Sequence, residues 1–295
     1  METVTARCAP VVSAASYTGV YPTFRGKAQI WNWSTGEHVS QFPTVFDGCG
    51  RHAISPNGEL YATANWRKGK NAGVACYDTR TGERIWHRED LRQVQGIRFS
   101  AQGDKVWCCV EVRPAHCLDS GTGSILAKLR NVDDVVESPY SDLVLHSRRN
   151  ADYLIVGRKT KAFPRLSSSM SDAVFSADSL CLAEHVGPVR CLDSESGQER
   201  WRYLPPQGFH VIALSHQADE SFYGYLFGYA SPRAALLRFS PNDGTCTELC
   251  SYDLSKRYGG DFGEGVFVTG TGEVLSLVDG QVLRQLAFQM QSPSV

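Results

Sequence analysis

The sequence predicts an all-β protein: a single β-propeller domain over 1–295 with seven four-stranded blades. Two observations predict it. The first is the stretch from Arg51 to His87. An alternating segment ends at the turn Ser55-Pro56-Asn57-Gly58, and a second run covers 60–65. A polar loop over 67–71 leads to a third run at 74–77, and the turn from Asp78 to Gly82 returns into 84–87. Alternate side chains of a strand point to opposite faces, and Gly, Asn, Asp and Ser supply tight reversals, so four such runs make an antiparallel meander. A lone sheet of this size has two faces to cover and must stack on others.

The second observation is that the unit repeats. Ser16, Ser55, Ser100, Ser138, Ser176 and Ser215 open the first turn of successive units, 38 to 45 residues apart. The second turn recurs in WNWSTGE, YDTRTGE, LDSGTGS, LDSESGQ and FSPNDGT, ending at Gly36, Gly82, Gly123, Gly197 and Gly244. A weaker VDGQ ends at Gly280, and one copy lacks its glycine near Lys159 to Lys161. Four strands in every ~40 residues is the pattern of a propeller blade.

Blade one is expected at 9–43, with its third strand at 28–33, and blade two at 49–90. Blade three covers 94–130, with strands at 96–99, 105–111 and 115–118. Blade four, 132–166, is the most degenerate, with strands at 143–146 and 153–156. Blade five covers 173–203. Blade six, 210–252, has an enlarged loop over 227–233. Blade seven, 261–289, has strands at 266–269, 274–278 and 282–288. The glycine-rich run from Tyr258 to Gly265 reads as a linker and not a phosphate loop, because a strand follows it and no helix does. Pairing of residues 2–6 with the last blade is one way to close the ring.

Tyr77-Asp78, Leu118-Asp119 and Leu192-Asp193 stand where a WD40 repeat carries Trp-Asp, and Trp86 and Trp201 follow the glycine turns. On these residues the chain resembles the bacterial WD40-like or quinoprotein-like β-propellers over nearly its whole length. It departs from strict WD40 repeats: no Gly-His pair opens a blade, and the Trp of Trp-Asp is replaced. The three aspartates each open a turn, where the side chain caps its own backbone.

Lysine and arginine total 30 against 31 acidic residues, a net charge of −1, so nothing biases the whole chain toward nucleic acid or an anionic membrane. Its apolar runs are strand-sized, which excludes a spanning helix. The start METVTARCAP has no apolar signal region, so a cytoplasmic location is expected. Cys76, Cys117 and Cys191 each precede a blade aspartate by two residues in different blades. They read as small buried hydrophobes in a reducing compartment, and no spacing suits zinc. No metal or cofactor is expected.

In such blades the first-to-second and third-to-fourth turns share one face of the disc, the turn face. The second-to-third loops and the blade linkers share the other, the loop face. The first class reads as tight and the second as long and irregular. Binding favours irregular loops on a rigid scaffold, and Arg, Trp, Tyr and Phe dominate interface cores. The expected partner-binding residues are therefore Arg25, Trp66, Arg67, Arg113, Arg148, Arg149, His185, Phe209, Tyr229, Arg233 and Tyr258, with Phe46 beside them. Ordinary solvated loops are the plain alternative. Arg148, Arg149, Arg158, Lys159, Lys161 and Arg165 form a basic stretch in blade four, better suited to an acidic protein surface than to nucleic acid, since it has few interleaved aromatics. First-strand residues Arg51, His52, Arg98, Asp172, His210 and Asp261 form no set with an obvious reaction.

The function expected is non-catalytic: a propeller that binds another protein through its loop face, as an inhibitor or immunity protein capping an enzyme or toxin, or as an assembly scaffold. The immunity role rests on what bacterial propellers of this kind often resemble. The rival is an enzyme or small-molecule binder using the central channel. Quinone-binding propellers of the quinoprotein type resemble longer, eight-bladed chains. A polar channel cluster with shifted acidities would favour this rival.

Overall fold

The structure, a computed structural model, describes residues 10–13, 16–23, 26–46, 51–65, 73–110, 114–148, 153–156, 161–162, 168–228, 231–253 and 259–286. Among them stand seven antiparallel sheets of four strands, each in sequence order. The first strands are Val11–Val12, Arg51–Ile54, Val94–Phe99, Val132–Glu137, Met170–Phe175, Phe209–His216 and Gly260–Gly263. Each touches the next and the last touches the first, so they ring a central axis. Among the described residues no strand is exchanged between the first and last blades. Val12, Trp31 and Trp33 of blade one instead pack on Val266, Val268, Val274 and Leu286 of blade seven. The proposed pairing of residues 2–6 lies outside the described residues.

Blade two follows its sequence closely, with strands Arg51–Ile54, Leu60–Asn65, Gly73–Asp78 and Arg84–Arg88. Its two middle strands are buried on both faces, because a blade lies against each side. The outer strand buries Trp86 and exposes Arg84 and Ile85 before it. The turn aspartates cap as expected: Asp78 Oδ1 accepts from Arg80 N at 2.9 Å and Thr81 N at 2.7 Å, and Asp119 and Asp193 accept in the same way. The backbone bond from Thr81, with help from its hydroxyl, holds Asp78 below the usual carboxylate range.

Two expectations are corrected. The bond that closes the first turn runs from Ser55 N to Leu60 O, and its counterparts start at Ser13 and Gln217, not Ser16 and Ser215. In blade one Gly19 belongs to the second strand, Thr18–Thr23, so the Ser-x-x-Gly match at Ser16 is out of phase. The glycine-rich run is also no simple linker: Gly260–Gly263 is the first strand of blade seven. A Cβ on Gly260 would lie 2.3 Å from a Phe267 ring carbon, so the residue is small because the second strand's aromatic fills its space.

The repeated turn glycines have a shared reason. Gly36, Gly82, Gly123, Gly244 and Gly280 all have φ between +69° and +79°. Each also receives a side chain from the outer strand of the preceding blade. A Cβ would meet Phe42 at Gly82 (2.6 Å), Trp86 at Gly123 (2.7 Å), Trp201 at Gly244 (2.6 Å) and Cys250 at Gly280 (2.7 Å). Arg284 of blade seven reaches Gly36 of blade one (2.8 Å), so the same lock spans the closing seam. Trp86 Nε1 donates to Ser120 O at 2.7 Å and Trp201 Nε1 to Pro241 O at 3.0 Å, fixing both rings over the next blade's turn.

Gly265 separates the two demands on these glycines. It has φ +67° but nothing within 4 Å of an added Cβ. Gly265→Ala should cost only the left-handed backbone, about 1–2 kcal/mol. Gly123→Ala adds a collision with Trp86 and should cost more, ~3 kcal/mol. Urea unfolding of the two variants checks this ordering, and equal losses would mean that the packing is irrelevant.

Candidate functional site

At the axis, each first strand has a ladder partner on one side only, so its other edge turns backbone N–H groups toward the channel without a partner strand. Three aspartates answer that need. In blades four, five and six the residues just past a shift in strand register are Asp134, Asp172 and Ala213. Asp134 and Asp172 each accept from the next residue's N–H, Val135 and Ala173, at 2.9 Å. Blade six has only Ala213, and its following N–H, that of Leu214, donates to Asp172 Oδ2 at 2.7 Å. Asp261 in blade seven accepts from Phe262 N at 2.9 Å and, across the closing seam, from Val12 N at 2.7 Å. Asp134 has a neighbour that caps itself, and its second oxygen takes Arg98 Nη2 at 3.2 Å; the same nitrogen reaches Asp172 at 3.0 Å.

Of the first-strand candidates, Arg98 and Asp172 are therefore joined, with Asp134 as a member that sequence reasoning missed, while Asp261 caps its own strand and the closing seam. The signal was present: Asp134 and Asp172 both stand four residues before a turn serine, Ser138 and Ser176. Burial pushes Asp261 up to about 7 against the pull of its two N–H donors, and burial raises Asp172 against the pull of Arg98. The two carboxylates hold Arg98 firmly charged. The other first-strand candidates go elsewhere. Arg51 is exposed. His52 bonds Tyr61 OH through Nδ1, and burial pushes it down to about 4. Among the described residues no three His, Cys, Asp or Glu side chains gather as a metal would need.

His210 lies at the loop-face end of blade six, and its ring stacks on His185 of blade five, with centroids 6.0 Å apart. His185 sits in a short loop fixed from below: its N–H donates to Ser169 O at 2.7 Å, and Val186 N donates to Ser168 Oγ at 3.0 Å. Beneath it the fully buried Glu184 takes Arg190 Nε at 2.7 Å. On this base Val186 is 61% exposed, and Leu204, leaving the same end of the blade-five sheet, is 69% exposed. Phe209 follows, half-buried, its N–H bonded to Pro206 O at 3.0 Å and its ring against Gly228.

Of the expected partner-binding residues, His185 stacks on His210, while Phe209, next in the chain, packs its ring on the seam between blades five and six. Arg233 lies on the same face but is held by Glu248 at 2.6 Å. Arg148 is described only as the end of the second strand of blade four, Val144–Arg148. Arg25, Trp66, Arg67, Arg113, Arg149, Tyr229 and Tyr258 lie outside the described residues, as do the side chains of the remaining basic residues of blade four. Phe46 is not a surface aromatic: it is 2% exposed and packs edge-on against His87. The contrast in loop length is also uneven. Blade five closes its second-to-third loop tightly, Glu184 N to Pro188 O, and blade seven does so from Thr269 to Gly272. Sequence reasoning missed Val186 and Leu204, because exposed aliphatics carry no motif.

The turn face is different in kind, because its turns bond to one another. Ser13 Oγ donates to Pro56 O. Gln217 donates to Gly263 O at 3.2 Å and accepts from Gly265 N at 2.8 Å. Tyr140 of blade four meets His216 Nδ1 of blade six at 3.1 Å, across a blade-five turn whose closing bond spans only Ser176 to Ser179.

No protein-family model matches the sequence, and no curated protein matches it. By structure the chain is similar to the dihydro-heme d1 dehydrogenase NirN in complex with DHE (TM-score 0.64, 12% identity), covering 96% of this chain and 66% of that one. It therefore spans a little under two thirds of the NirN chain. It is also similar to the C-terminal WD40 domain of Sif2 (TM-score 0.64, 14% identity), covering 89% of this chain and 78% of that one. The fold is that of the WD40-like and quinoprotein-like propellers.

The acidity of Asp261 has a definite consequence for stability. Its folded value lies above the unfolded ~3.9, so the folded protein binds the proton more tightly and loses stability as pH rises from about 4 to about 7. The slope from this group is at most about 1.4 kcal/mol per pH unit. Asp261→Asn should flatten that decline in a pH series of urea melts. An unchanged slope would show that Asp261 titrates as an ordinary carboxylate.

Proposed function

We propose that this chain is a non-catalytic propeller that binds another protein through the loop face at blades five and six. One observation carries the reading: Val186 and Leu204 are exposed at the loop-face end of blade five, and the Val186 loop, bonded from beneath, carries the His185 that stacks on His210. A patch of apolar side chains with aromatic neighbours on a pre-formed base is what interface centres are made of, and rigidity lowers the entropy cost of association. The turn face lends itself less, since several of its polar groups already bond to each other. Propellers of the WD40 type commonly mediate protein contacts, which fits. Two forms are open to this surface: an inhibitor or immunity protein that caps one enzyme, and a scaffold with several clients.

The channel reading is favoured by the Arg98–Asp134–Asp172 cluster. It is weakened because those carboxylates already accept backbone N–H groups, leaving less capacity for a ligand.

Tagged protein recovered from its source lysate separates these readings when wild type is compared with Val186→Asp/Leu204→Asp and with a turn-face control, Tyr17→Asp/Val278→Asp. A stoichiometric partner lost with the first variant, kept by the control and little affected by salt is expected. Many such partners would favour the scaffold. A partner lost only in the control would move binding to the turn face. No partner, with small-molecule binding abolished by Arg98→Ala, would establish the channel reading.

A further inference from the structure

We propose that Cys181 and Cys191 of blade five are a dithiol–disulfide couple. They lie on the second and third strands, Ser179–Glu184 and Val189–Asp193, directly opposite each other in the register. Opposed residues in an antiparallel pair alternate between hydrogen-bonded and non-hydrogen-bonded sites. The bonds Glu184 N to Pro188 O (3.1 Å) and Ser194 N to Asp178 O (3.0 Å) mark hydrogen-bonded sites at both ends of this ladder. Counting inward from either end puts Cys181 and Cys191 on a non-hydrogen-bonded site. There the Cα atoms approach to about 4.5 Å and the side chains share one face, within the ~4.4–6.8 Å that a disulfide spans. The repeat makes the pairing specific. In the same slot, Cys76 of blade two faces Ala62 and Cys117 of blade three faces Trp107.

Both residues are free thiols, fully buried in the seam between blades five and six, with Trp201 paired beside Cys191. Burial pushes the Cys191 thiol up to about 11, and burial raises the Cys181 thiol as well. Both are therefore protonated and slow to react while the seam is shut. Cys191, whose thiolate the Ser179 hydroxyl and Arg200 favour, attacks first when the seam opens. With a small-molecule disulfide such as glutathione disulfide, the Cys191 thiolate forms a bond to one sulfur, and the other leaves as a thiolate that takes a proton. The Cys181 thiolate then attacks the Cys191 sulfur and expels the second glutathione. The pair loses two protons and two electrons in all, and the reagent is reduced to two thiols. The product cross-links the hairpin whose tip carries His185 and Val186. The inference holds whether or not that tip binds a protein.

The test is folded wild-type protein exposed to glutathione disulfide, followed by proteolysis without reductant and mass spectrometry. A Cys181–Cys191 linked peptide two mass units lighter than its dithiol is expected. Its formation should speed up about tenfold per pH unit between pH 7 and 9, as the thiolate fraction rises. Cys191→Ala should abolish the link without producing another. If that variant does not fold, the mapping on wild type still decides. No link while the native circular dichroism spectrum persists, a link only in urea, or a stable glutathione adduct on Cys191 that never closes would each overturn the proposal.

Discussion

The contact on which the ring depends is a side chain from one blade's outer strand set against a left-handed glycine in the next blade's third-to-fourth turn. It needs two things at once, a positive φ and the absence of a Cβ, and glycine alone supplies both at low cost. The occupant varies among Phe42, Trp86, Trp201, Cys250 and Arg284, while each of these five joints keeps its glycine. Volume at this joint is adjustable from the outer strand but not from the turn. Because Arg284 reaches Gly36, the joint that stacks neighbours also closes the circle, and among the described residues the ring holds without an exchanged strand.

A second constraint acts at the axis. Seven first strands present backbone edges to a narrow channel, and unpaired N–H groups there carry a desolvation cost. Asp134, Asp172 and Asp261 reduce it by accepting from their own strand, and Asp172 and Asp261 also from a neighbouring blade. The carboxylates are then themselves crowded: Arg98 offsets two of them, while burial leaves Asp261 a weaker acid than usual. A polar channel cluster of this kind looks like an active site, yet backbone satisfaction accounts for its aspartates.

The surface that remains is defined by burial beneath it. Glu184 and Arg190 lie under the blade-five loop and Ser168 and Ser169 bond its backbone, with Val186 exposed on it. An aliphatic side chain held out in water by a rigid base loses little entropy when covered, which is the physical case for a docking role.

The repeat, the count of seven blades and the turn chemistry were legible in the amino-acid order, because period-2 alternation, the Asp-to-Gly turns and a ~40-residue spacing are local properties. Even there phase slipped: Ser16 and Ser215 satisfied a motif that the backbone bonds assign to Ser13 and Gln217. Gly260–Gly263 looked like a linker because the sequence does not announce that the Phe267 ring takes the space a side chain at Gly260 would need. The channel set, the His185–His210 stack, the buried state of Phe46 and the facing of Cys181 and Cys191 depend on which blades or strands become neighbours. Those contacts join residues tens of positions apart or turn on the parity of a ladder, so only the assembled ring decided them.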